Sequence, residues 1–214
     1  MNCFHFVKVY DFYEKNNDKI KANYILTNLA DLNRDIFKIV RAKNLYYQVL
    51  TSKEITPVMQ VKCYLGLFDV EYTQDNFKQA HEFFDKIFAN LDKVDDVAIK
   101  AETYFKYGLL KDDENDLEGA LEYYNKAIEV CDNPKFNLFL SSCYSNIASI
   151  YAEQGKKEVA LEKYSYALEL DRKNNNLEGI YYWNTQIAQR LQIAKPDMAQ
   201  DYFKSAIEAA KKLN

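Results

Sequence analysis

Four stretches of the chain overlay in one register: 77–91, 117–130, 157–170 and 196–210. Each carries a small residue at its fourth place, Ala80, Ala120, Ala160 or Ala199. Four residues later stands an aromatic, Phe84, Tyr124, Tyr164 or Phe203, and three further on Ile87, Ala127, Ala167 or Ala206. A weaker copy begins at Ala42, with Tyr46 and Val49, and the five copies are separated by 38, 40, 40 and 39 residues. A chain built from units of this size stacks one supersecondary element on the next, because no single unit buries its own apolar face.

The spacing i, i+4, i+7 puts the three positions on one stripe of a helix. Alanine at the first lets a neighbouring helix approach closely, and the ring fills the wider gap one turn along. A second helical pattern precedes each copy. The clearest is Cys143 to Lys156, with Tyr144, Ile147, Ala148 and Tyr151 on one face and Gly155 as its left-handed stop. Others place Leu26, Leu29 and Ala30, then Tyr64, Leu67, Phe68 and Tyr72, then Tyr104, Tyr107 and Gly108, and last Trp183, Ile187 and Ala188. Asp75-Asn76 and Asp112 to Asp116 read as polar turns within a unit. Only 5 glycines and 3 prolines are present, too few for the turns of a sandwich or barrel. The fold class expected is all-α, an α-solenoid of antiparallel helix pairs.

The pattern resembles the tetratricopeptide repeat family, most closely at Tyr144, Ile147, Ala148, Tyr151, Ala160, Tyr164 and Ala167. The resemblance implies a right-handed superhelix whose pairs occupy 20–56, 57–96, 97–136, 137–176 and 177–214, with 1–19 as a capping or partial-repeat helix carrying Phe6, Val7, Tyr10 and Tyr13. The period near 40 exceeds the family's usual 34. The surplus is expected after the second helix, around Asn133-Pro134 and Lys173 to Asn176, in longer helices or longer connections.

Chemistry-bearing constellations are scarce. His5 and His81 have no nucleophile or paired carboxylate at catalytic spacing, and no glycine-rich phosphate loop occurs. Cys3, Cys63, Cys131 and Cys143 lack both CxxC spacing and disulfide density, so buried free thiols are expected and neither a metal nor a cofactor is implied. Asp112 to Asp116 opens like a calcium loop, but Leu117 replaces the glycine and Tyr123 the bidentate glutamate. The net charge of -4 argues against nucleic acid, although acids crowd 92–122 and bases prevail from Arg190 onward. No membrane-length apolar run or signal-like segment is present, and a cytoplasmic protein without enzymatic activity is expected.

In the family the first helix of each unit lines a concave groove for a protein or peptide. Carried over position by position, the resemblance implies a wall of Lys62, Leu65, Asp69, Tyr72, Phe105, Leu109, Ser142, Ser145, Asn146, Ser149 and Tyr182. Ser142, Ser145 and Ser149 form a lane of short hydroxyls on one helix. Asn146 matches an asparagine of the carboxylate-gripping members, but Phe105 and Leu109 stand where the preceding unit would need polar partners, so a partly apolar peptide or amphipathic helix is expected instead. Two further readings are a peptide-sensing domain of a ligand-gated regulator, and a structural module that forms homo-oligomers through its array ends.

Overall fold

The structure is a computed structural model and describes residues 3–131 and 133–213. Eleven α-helices and one 3-10 turn make up these residues, with no strand among them. α1 (Cys3–Lys15) precedes five helix pairs: α2 (Lys19–Asp35) with α3 (Ile39–Leu50), α4 (Pro57–Tyr72) with α5 (Phe77–Leu91), α6 (Val97–Asp113) with α7 (Leu117–Glu129), α8 (Asn137–Glu153) with α9 (Lys157–Lys173), and α10 (Leu177–Leu191) with α11 (Pro196–Leu213). The chain forms two compact units, Met1–Thr103 and Tyr104–Asn214.

The repeated stripe is the core of both units. Ala42, Ala80, Ala120, Ala160 and Ala199 are all buried, as are Tyr46, Phe84, Tyr124 and Tyr164. In the first unit Phe68 meets Phe84 edge-on, with centroids 4.7 Å apart, and stacks on Tyr72 at 5.1 Å. In the second, Ala120 and Tyr124 join Ile147 and Ile150, while Ala160, Tyr164 and Leu168 pack with Ala148, Ile187, Leu191 and Ala199. Close approach at the small positions leaves no room for bulk. A methyl group at Gly66 would overlap the Tyr46 ring, and one at Gly108 would stand 2.8 Å from Tyr124.

One turn device recurs six times. Asn17, Phe37, Asp75, Asn115, Gly155 and Asn175 adopt φ between +53° and +73°. After each, the next amide bonds the carbonyl five residues back, at 2.8–3.0 Å, from Asp18 to Tyr13 through Asn176 to Asp171. This is the Schellman closure, which satisfies the carbonyls a helix end would otherwise orphan. Asn, Asp and Gly tolerate the left-handed region; phenylalanine does not, so Phe37 is strained.

The surplus over 34 residues lies partly elsewhere than the sequence led us to expect. α8 and α9 each run 17 residues and end in three-residue turns, so Lys173 belongs to a helix and Asn174 to Asn176 form a tight connection. Around Asn133 the expectation of a longer connection holds, with the 3-10 turn Pro134–Phe136 between α7 and α8. Cys63, Cys131 and Cys143 are buried free thiols, and burial pushes Cys63 up to about 12. The side chain of Cys3 lies outside the described residues.

Candidate functional site

Where the aromatic of the second helix is a tyrosine, it does more than fill space. In the first unit the Tyr46 ring is fully buried, and its hydroxyl emerges on the side of α2, where it donates to Asp31 Oδ1 at 2.6 Å. Arg34 reaches the same hydroxyl at 3.4 Å and donates to Asp69 Oδ2 at 2.9 Å. Asp35 completes the set, 3.1 Å from the Arg34 guanidinium. Burial raises the Asp31 carboxyl above its ordinary value, against the lowering effects of the Tyr46 hydroxyl and Arg34. Asp31 and Arg34, with Lys62, Leu65, Gly66 and Glu102, line a cleft of about 210 Å³.

In the second unit the equivalent hydroxyl, on Tyr164, lies 3.2 Å from Ser149 Oγ and receives Arg190 Nη2 at 3.1 Å. The Arg190 guanidinium also lies over the Tyr164 ring, 4.5 Å from its centroid. The Tyr124 hydroxyl donates to Asp112 Oδ2 at 3.4 Å. The first-unit inner helices therefore carry a mutually paired ion cluster, whereas α8 carries small neutral hydroxyls.

The residues expected to line a groove separate into two groups. Leu65 and Ser145 are buried, at 4% and 9% exposure, and Ser145 Oγ donates to the Ser142 carbonyl at 2.7 Å. Partly buried Tyr72 stacks on Phe68, Phe105 lies between Tyr124 at 5.6 Å and Phe139 at 5.3 Å, and Leu109 packs on the α7–α8 cluster. Asp69 is ion-paired to Arg34. These side chains are engaged within the fold, by burial, ring contact or ion pairing. Lys62 and Asn146 are partly exposed, and the Lys62 ammonium lies 5.8 Å from the Tyr24 ring centroid. Ser142, Ser149 and Tyr182 are exposed.

The structure brings Ser142 and Tyr182 to one cleft of about 510 Å³, together with Asp171, Trp183, Leu138 and Leu213. Asp171 escaped the sequence reading, although a signal was present. It continues the stripe of Ala160, Tyr164 and Ala167 at the position held by Leu91 and Cys131 in the two preceding copies. An acid on a stripe that is otherwise apolar calls for an explanation.

With this geometry in hand, comparison identifies the class of protein. The tetratricopeptide repeat family matches residues 101–134 and 141–174, whose starts lie one 40-residue period apart. Both stretches are tetratricopeptide repeats, and the helix pairs of the chain have the fold of a tetratricopeptide-type helical solenoid. Among solved structures, MamA is 20% identical at a TM-score of 0.62, covering 86% of this chain and 95% of that one. The apo form of RapI is 16% identical at 0.71, covering 98% of this chain and 66% of that one. BtubC from P. vanneervenii is 15% identical at 0.72, with coverages of 98% and 87%. At such identities the likeness is one of fold. No curated protein matches the chain. No helix among the described residues is long and apolar enough to cross a membrane.

Proposed function

We propose that the chain is a binding scaffold that holds a protein or peptide partner on its inner helices, with the contact centred on α8 and α10. The observation that carries this reading is the lane of Ser142, Asn146 and Ser149 beside exposed Tyr182. Short hydroxyls and a carboxamide let a partner backbone come close and answer its amides and carbonyls, while an aromatic offers apolar area at little conformational cost. The scaffold is preorganised by the Schellman turns and the packed stripe, so the ordering cost of association falls on the partner.

The test is selection of a displayed random-peptide library against the whole protein. Recovered sequences should lose binding to an Asn146→Ala, Tyr182→Ala double variant whose circular dichroism matches the parent. Phe105 is left alone because its ring supports the core. Recovered peptides that bind the double variant undiminished would place the contact elsewhere and remove this surface from the reading.

A further inference from the structure

We propose that the 510 Å³ cleft beside α10 takes one cationic side chain, an arginine or lysine of the bound peptide. The inference rests on the scaffold reading and assigns its partner a chemistry. Asp171 is 2% exposed, and its carboxylate accepts from Ser141 Oγ at 2.8 Å, Trp183 Nε1 at 2.7 Å and Asn176 Nδ2 at 2.9 Å. All three donors are neutral. Among the described residues no lysine or arginine pairs with it, whereas Glu71, the buried acid at the end of α4, holds Lys43 at 2.5 Å.

A buried carboxylate that is hydrogen-bonded but not charge-paired keeps a field directed at whatever enters the adjoining space. The α10 N-terminus faces that space too, but its roughly +0.5 charge is smaller than the unit charge of Asp171, and Glu178 adds a second carboxylate at the lip. Among the described residues no lysine or arginine lines the cleft. Its wall is aromatic: Tyr181 and Tyr182 are 45% and 49% exposed, and Trp183 meets Tyr182 edge-on with centroids 4.4 Å apart. Ring faces attract cations, and guanidinium most readily, since it stacks as well as donates. Leu138 and Leu213 at the rim suit the aliphatic stem of such a side chain.

Trp183 is the sole tryptophan of the chain and lines this cleft, so the whole protein carries its own reporter. Its fluorescence would be titrated with acetyl-Gly-Arg-Gly-amide and with the citrulline tripeptide, which keeps the shape and loses the charge. The arginine peptide should bind at least about tenfold tighter, in keeping with a desolvated cation–aromatic contact beside a carboxylate. The preference should vanish in Asp171→Asn. Because that variant also changes a buried hydrogen-bond centre, Glu178→Gln and Tyr182→Ala provide a second measurement, and each should narrow the preference with helicity unchanged. Equal affinity for the two tripeptides, or no response to either, overturns the cation assignment. Neither result touches the scaffold reading, which stands or falls with the library selection.

Discussion

The two units use the same tyrosine at the same place in the repeat, yet surround its hydroxyl differently. Around Tyr46 stand Asp31, Arg34 and Asp69, each meeting another member of the set. Around Tyr164 stand Ser149 and Arg190, and among the described residues no carboxylate is bonded to the hydroxyl. Charges on the inner helices of the first unit are thus spent on one another. Ser142 and Ser149 of the second remain exposed at the surface. Inner-helix position alone does not make a residue a recognition element; what matters is whether the fold has already engaged it.

The comparison breaks most readily at the two arginines. Arg34→Ala removes the counter-charge from Asp31 and Asp69 in a cleft where burial already disfavours the charged Asp31 carboxyl. Breaking a partly buried pair in this way should cost about 2 kcal/mol, less than for a fully buried one. Arg190→Ala leaves no orphaned carboxylate and loses a cation–aromatic contact and hydrogen bonds to Tyr164 and Gln186, about 1 kcal/mol in all. Urea unfolding followed by circular dichroism measures both. Equal costs would mean that the first-unit cluster is an ordinary surface network.

Buried acids sharpen the contrast through pH. Burial alone would raise Glu71, but hydrogen bonds from Lys43 and Asn76 outweigh it and hold the carboxyl below its ordinary 4.5. A depressed native value means that Glu71 contributes stability above the unfolded-state value and that this contribution is lost as pH falls through the folded one. Glu71→Gln should therefore cost about 1–2 kcal/mol at pH 7, and the gap between variant and parent should close as pH drops below about 4. A gap that persists at low pH would trace the effect to packing rather than charge.

How far the sequence could see follows from the same distinction. The stripe of small, aromatic and small residues is a packing requirement, and packing repeats wherever helices stack. Ala120, Tyr124 and Ala127 therefore announced both their burial and the helix that holds them. The site was less legible because its members depend on cross-helix partners. Nothing local to Leu65 or Ser145 tells that a neighbouring helix covers them, and the consensus groove positions do not encode that Asp69 is claimed by an arginine 35 residues earlier. Asp171 was readable in principle, as an acid on an apolar stripe. Its partners Ser141 and Trp183 come from helices on either side, and only the fold brings them together.

The smallest effect carries opposite signs in the two units and concerns the repeated turn. Phe37 occupies the left-handed position at φ +58° while its side chain is 88% exposed, so the strain is not repaid by burial. Gly155 occupies the same position at φ +73°, with open space where a Cβ would project. Left-handed geometry costs an L-residue about 1–2 kcal/mol, and glycine escapes this at the expense of some unfolded-state entropy. Phe37→Gly should accordingly raise stability by about 1 kcal/mol, and Gly155→Ala should lower it by a similar amount, both as shifts of the urea midpoint at unchanged slope. Because neither substitution touches the core, the pair isolates backbone strain from packing. A loss of stability in Phe37→Gly would show instead that the exposed ring, with exposed Ile36 and Val40 beside it, is held by contacts made in solution.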